Sequence, residues 1–326
     1  MRILFDHPNP FSLAHGGFQT QIEQTKLALE GLGLEVDWLR WWDENQTADV
    51  IHFFGRPSQW YLRTAQARGG KVVLGELLTG VGSRGALARA AQARVIRLLR
   101  RSSFFERMSW DAFHLADACV ALTPWEARLM SEIFGASPER VHVVPNGVEE
   151  EFFSAPPVER GQWLVCTATI TERKRVLELA RSAVAGRTPI WIVGKPYSEA
   201  DPYGRAFAEF QHRHSALIRY EGAIQERAVL ARIYREARGF VLLSTMESLS
   251  LSALEAAACE CPLLLSHLPW ARSTFGGNAS YTHPSDEVRN LKLFYDSAPS
   301  LPLAPMPLRW TDVAHQLASI YRKLAG

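Results

Sequence analysis

Short runs of β-branched and aromatic residues alternate along the chain with longer amphipathic stretches, a pattern that predicts parallel sheets joined by crossover helices. In the first half, strands are predicted at Arg2–Asp6, Leu34–Leu39, Asp49–Phe54, Lys71–Gly75, Asp117–Leu122 and Val141–Val144. The clearest helix runs from about Gly17 to Leu29 and stops at Gly31-x-Gly33, where glycine suits the turn that ends a helix. The pattern then breaks over Glu149–Gly161, whose charge run, prolines and glycine read as an interdomain linker. After it the alternation restarts, with strands predicted at Gln162–Ala168, Pro189–Val193, Leu217–Tyr220, Gly239–Leu243, Pro262–Leu265 and Ala279–Thr282. A proline-rich crossing strip, Ser297–Pro307, leads into Leu308–Leu324, where Trp310, Val313, Leu317 and Ile320 recur at helical spacing.

A length of 326 residues fits two cores of about 150 residues each better than one. The expectation is therefore an α/β protein of two Rossmann-like domains with a cleft between them. One domain spans residues 1–155 and is rejoined by a helix at 309–326; the other spans 156–308. With 47% hydrophobic and 21% charged residues the chain is globular. Its 36 basic and 34 acidic residues nearly cancel, so overall charge points to no nucleic-acid partner. Cys119, Cys166, Cys259 and Cys261 lack zinc-ligand spacing, and three of them lie in apolar runs, as expected in a reducing cytoplasm. MRILFDHPNP is too short in apolar residues for a signal-peptide core, and no stretch approaches the roughly 18 apolar residues of a membrane span. A cytoplasmic protein is expected, with room for peripheral attachment to the inner membrane face.

Candidate chemistry gathers in TMESLSLSALEAAACECP. Glu247 follows a strand and Glu255 lies two helical turns later, so both carboxylates are expected on one face near a helix N-terminus. Such an end binds phosphates and hydroxyls through its free N–H groups. Glu255 is set among small apolar residues, where an unpaired carboxylate is costly. The alternative is a capping Glu247 and a solvated Glu255. In TATITERKRV, Lys174 opens a helix after a strand, placed either to meet a diphosphate or simply to sit in solvent. His15-Gly16-Gly17 is a close-approach loop or a plain one. Gly80–Gly85 matches G-x-G-x-x-G, but an arginine-rich helix stands where a dinucleotide site needs a second strand and its acidic residue. Ser83–Arg107 carries seven arginines against the single acid Glu106. Leu87, Ala91, Val95, Leu98 and Phe105 form an apolar stripe there, which either enters the core or docks on anionic lipid or an acidic acceptor. No Asp-x-Asp occurs, so no metal site is expected, and lysine, arginine and helix dipoles must neutralise any diphosphate.

Glu247 and Glu255 match the E-x7-E arrangement of retaining GT-B glycosyltransferases, and the whole chain resembles glycosyltransferase family 4. HGGFQTQIEQTKLALEGLGLEVD, DVIHFF, ADACVALTPWEARLM and RVHVVPNGVEEEFF resemble the first domain. GAIQERAVLARIYREARGFVLLSTMESLSLSALEAAACECPLLLS resembles the donor-binding core. The resemblance implies transfer of a sugar from a UDP- or GDP-sugar to a hydroxyl acceptor, with retention and without a metal or other cofactor. Glu255 would then hold the ribose and Glu247 the sugar hydroxyls. The backbone of Ser248, Leu249, Ser250 and Leu251 would face the sugar and phosphates. Lys174 would neutralise the leaving diphosphate, Gly16 and Gly17 would close on it, and Ile224 would lie near the base. Three positions depart from the family pattern. Ala168-Thr169 replaces Gly-Arg, leaving Thr169 in the donor loop and one phosphate cation either absent or supplied by Arg173 or Arg175. Ser248 and Glu260 replace glycines. Glu76 stands where many members place a histidine, and with His15 it marks the acceptor side. These departures keep open a nucleotide-sugar-binding protein of weak or no transferase activity; an epimerase is the other alternative.

Overall fold

A computed structural model describes residues 1–8, 11, 16–100, 102–154 and 158–326. All twelve predicted strands form, each within a residue or two of its expected ends. The chain divides into two compact units, residues 1–147 with 308–326, and residues 148–307.

In the first unit β1 (Arg2–Asp6), β2 (Glu35–Trp38), β3 (Val50–Phe53), β4 (Lys71–Leu74), β5 (Ala118–Ala121) and β6 (Val141–Val143) make one sheet in the order β2-β1-β3-β4-β5-β6, parallel throughout. β1, β3, β4 and β5 are almost wholly buried, which is why they read as near-continuous apolar runs. The Gly17–Gly31 helix ends as expected, with Gly33 at φ 76° and its N–H on the Glu30 carbonyl at 2.9 Å. The Trp310–Ala325 helix packs on the Gly17–Gly31 helix, with Trp310, Val313, Leu317 and Tyr321 buried. Its start crosses Gly147 so closely that a Cβ there would lie 2.6 Å from Trp310 backbone atoms. The His52 ring is sealed between Phe54, stacked at 4.1 Å, and Tyr321, whose hydroxyl is 2.6 Å from Nδ1.

In the second unit β7 (Leu164–Thr167), β8 (Ile190–Val193), β9 (Ile218–Tyr220), β10 (Gly239–Leu242), β11 (Leu263–Ser266) and β12 (Ser280–Thr282) form a parallel sheet in the order β12-β11-β10-β7-β8-β9. Counted from its own first strand this is the doubly-wound order 3-2-1-4-5-6, with the switch point between β7 and β10. Such sheets bind ligands at the carboxyl ends of the two strands flanking that point.

Within the predicted linker Glu149–Gly161, the described residues 149–154 and 158–161 fall in the second unit. Glu150–Phe152 is a 3-10 turn, and Phe152 is fully buried beside Tyr234, which makes the turn part of the second unit. At its far end the Arg160 guanidinium donates to the carbonyls of Tyr234 (3.2 Å), Arg235 (3.1 Å), Ala237 (2.8 Å), Cys259 (3.2 Å) and Glu260 (2.7 Å). One cation thus satisfies the C-terminal ends of both the Arg227–Glu236 and Leu251–Ala258 helices, where the helix dipole favours positive charge.

Candidate active site

Both loops at the β7/β10 switch point carry predicted site residues. After β7 the chain runs through Ala168 and half-buried Thr169 into the 3-10 turn Glu172–Lys174, whose Lys174 N–H donates to Thr171 Oγ1 at 3.4 Å. Arg175 follows in the left-handed region at φ 53° and pairs with buried Glu287 at 2.7 Å, so the turn is held at its far end too. After β10, Ser244 is buried and its Oγ has no partner among the described residues. Thr245 N–H donates to the Arg173 carbonyl at 2.8 Å, tying the two loops together. Ser250 then caps the Leu251–Ala258 helix, its hydroxyl accepting from Ala253 N–H at 3.3 Å.

This cap corrects one expectation. Glu247 precedes the cap and is not on the helix, so it shares no helix face with Glu255. Its carboxylate instead receives the Lys174 ammonium, and the Arg173 guanidinium at 3.2 Å. Lys174 and Glu247 are mostly buried, while Arg173 is 40% exposed. Ser248, Leu249 and Ser250 are buried and Leu251 half-buried between this cluster and the helix start.

Glu255 forms a separate cluster. It is buried, and burial raises its pKa against the opposing pull of Arg227. One oxygen takes the Arg227 guanidinium and the other accepts from Tyr234 Oη at 2.9 Å. Arg227 also pairs with Glu149 at 3.0 Å, and Tyr234 meets Thr167 at the end of β7. The carboxylate is therefore not left waiting for a ligand, as its apolar sequence neighbours suggested; the protein itself supplies partners. Each oxygen keeps a further lone pair for a hydroxyl donor.

Arg227, Tyr234, Glu149 and Thr167 are the functional candidates that the sequence reading missed. Tyr234 left one signal: it lies on the buried stripe of its helix, and a buried tyrosine hydroxyl needs a partner. Nothing in the spacing links Arg227 to residues 149 and 255. Ile224 is half-buried in the loop after Gly222, which turns at φ 70°.

In the first unit Gly16, at φ 142°, precedes the helix that Gly17 opens, and among the described residues no side chain caps that end. The first N–H groups of a helix have no partner within it, so such an end suits an anion. His15 lies outside the described residues. Glu76 follows β4 and pairs with Arg56 at 3.1 Å; burial raises its pKa while Arg56 opposes the shift. The four cysteines are buried, and burial pushes each thiol up to about 12, so none is a nucleophile at neutral pH. Among the described residues no helix is long and apolar enough to cross a membrane.

Comparison with known proteins places this geometry. The family model described as a glycosyl transferase 4-like domain matches residues 16–147, and the one for glycosyl transferases group 1 matches residues 161–291. No curated protein matches the chain. Among solved structures, sucrose-phosphate synthase from Thermosynechococcus elongatus is similar with a TM-score of 0.69 at 15% identity, covering 99% of each chain. Anabaena Alr3699/HepE, in complex with UDP and glucose, gives 0.67 at 13%, covering 98% of this chain and 99% of that one. A glycosyltransferase from Rickettsia africae gives 0.67 at 12%, covering 99% and 98%. At such identities these likenesses speak for the fold. Because the two family models match in tandem and between them reach both sheets, the chain belongs to the group 1 glycosyltransferases and has the paired Rossmann-like units of the GT-B fold.

Proposed function

We propose that this glycosyltransferase moves a hexose from a nucleotide-diphosphate donor such as a UDP- or GDP-sugar to a hydroxyl acceptor, with retention of configuration and without a metal ion. The observation that carries the reading is the Arg173–Lys174–Glu247 cluster at the switch point of the second sheet. Two cations and a carboxylate stand where a doubly-wound sheet binds ligands. The crystal structures of Anabaena Alr3699/HepE with UDP, with UDP and glucose, and with UDP-glucose support a nucleotide-sugar as the donor class.

In this reading Lys174 and Arg173 stabilise the negative charge that builds on the diphosphate, which is why no metal is required. Glu247 accepts from sugar hydroxyls, Glu255 from the ribose, and the backbone of Ser248–Leu251 faces the sugar and phosphates. Thr169 borders the diphosphate and Ile224 the base. On the acceptor side stand His15 and Glu76, and the helix start at Gly16 and Gly17 suits an anion. The bond from the anomeric carbon to the diphosphate oxygen breaks, and its electron pair stays on that oxygen. The acceptor oxygen bonds to the anomeric carbon on the same face, and its proton passes to the departing diphosphate. Electrostatic stabilisation of the leaving group supplies most of the rate.

One observation favours a second reading, a protein that binds the donor but turns it over poorly: both oxygens of Glu255 are already engaged by Arg227 and Tyr234. Incubation with UDP- and GDP-sugars separates the two. Release of UDP or GDP, reduced about 100-fold or more in Lys174→Ala as for loss of one transition-state donor, supports transfer. Binding without release supports the second reading. Proton NMR of the new glycosidic bond tests retention, and an inverted anomer would overturn that part.

A further inference from the structure

The arginine-rich helix turns its longest apolar stripe away from the protein. Ala86–Leu99 is anchored by Ala93 and Ile96, which join the core together with Phe105 of the following Ser103–Arg107 helix. Of the predicted stripe, expected either to enter the core or to dock, Phe105 alone is buried. Leu87 is 89% exposed, Leu98 76% and Val95 51%, with Ala91 exposed between them. At about 100° per residue these four side chains fall within roughly 80° of arc. Phe104 and Met108 continue the exposed apolar surface beyond the helix. Arg94, Arg97 and Arg107, all exposed, are interleaved with these residues. Five exposed large apolar residues on one short stretch, Leu87, Val95, Leu98, Phe104 and Met108, are costly in water unless something covers them.

We infer that this face docks the protein on an anionic lipid surface, with Leu87, Val95 and Leu98 in the headgroup–acyl boundary and the arginines on acidic headgroups. The charge selects this occupant. Ser83–Arg107 holds seven arginines and one acid, so a second copy placed face to face would set like charges against each other. A purely polyanionic partner would leave the apolar stripe uncovered. A bilayer with acidic headgroups satisfies both features at once, as for basic amphipathic helices that lie in the interface plane.

The test uses the full chain and phosphatidylcholine vesicles with and without phosphatidylglycerol, separated by sedimentation; no donor is added, so the outcome is independent of sugar transfer. The wild type is expected to pellet with the mixed vesicles, less so as salt rises, and not with phosphatidylcholine alone. Leu87→Asp with Leu98→Asp, and separately Arg94→Glu with Arg97→Glu, should each lower the partition coefficient about tenfold or more, with unchanged thermal stability because these side chains lie outside the core. Leu98→Cys carrying an environment-sensitive fluorophore guards against misfolded variants; the four native thiols are buried, and its emission should shift to the blue only with the mixed vesicles. Failure to pellet at low salt would overturn the inference. So would binding lost in the charge variant but intact in the leucine variant, which marks a generic polyanion patch, or a dimer in solution that Leu87→Asp with Leu98→Asp dissolves.

Discussion

Lys174 and Glu247, far apart in sequence, neutralise each other where the donor diphosphate is proposed to lie, so removing either changes the field in opposite directions. Lys174→Ala leaves Arg173 alone against Glu247, a site with no net charge, and should weaken UDP or GDP binding at least tenfold, about 1.4 kcal/mol. Glu247→Gln leaves Lys174 and Arg173 without their counter-charge. It should tighten nucleotide binding several-fold while slowing transfer, because the sugar loses its acceptor. Titration calorimetry reads both, and a shift in the same direction would contradict the assignment. A different residue sets acid stability. Burial lowers the His52 pKa to about 3, against an ordinary value of about 6.5 in the unfolded chain. Between those two values the unfolded chain binds a proton that the folded chain does not. The contribution of neutral His52 is therefore complete above about pH 6.5 and is lost at about 1.4 kcal/mol per pH unit as pH falls toward 3. Buried carboxyls such as Glu255 and Glu76, whose pKa values are raised, act in the opposite sense, so the comparison must be with a variant. Denaturant midpoints across this range should fall more steeply in the wild type than in His52→Gln; parallel curves would rule out this role for His52. Of these residues, Glu247, Glu255 and Lys174 were legible from type and spacing. Their partners were not, because Arg227 and Tyr234 meet Glu255 only through the packing of two helices.

At the scale of elements, the backbone carries marks that the sequence pattern explains only afterwards. Glu260 follows the Leu251–Ala258 helix at φ 54°, a conformation that favours glycine. The glycine common in the family at this position is thus a helix-end residue. Because Arg160 binds the Glu260 carbonyl and not its side chain, Glu260→Gly keeps that contact and should stabilise the second unit by about 0.5–1 kcal/mol, near the cost of a left-handed side-chain-bearing residue. A lower melting temperature would count against this. Gly194, at φ 147° after β8, leaves no room at all: a Cβ would sit 1.9 Å from the Ala168 carbonyl oxygen. Gly194→Ala should therefore displace the donor loop, lowering both stability and nucleotide affinity. The strands were legible because buried parallel strands read as apolar runs. The Ala86–Leu99 helix shows the limit of periodicity. Period alone gives two apolar faces, Ala93–Ile96 and Leu87–Ala91–Val95–Leu98, and does not say which one the core accepts. The smaller face packs.

Over the whole molecule, two successive alternations of strand and helix were enough to give two parallel sheets. The boundary was harder to see. A charged, proline-containing stretch resembles a linker, yet Phe152 and Arg160 within it are anchored to the second unit, and the division falls between Gly147 and Val148. Composition registers polarity and is blind to one buried aromatic ring. The sheet order, which puts β7 beside β10 and so creates the switch point, is likewise a long-range property that no local run encodes. If this switch point grips a nucleotide-sugar, as proposed, calorimetric titration of UDP- and GDP-sugars into the wild type, Lys174→Ala and Glu255→Gln reads it most directly. Saturable binding of at least one donor class is expected, weakened about tenfold or more in each variant. Absence of binding to every donor, or undiminished affinity in both variants, would contradict it.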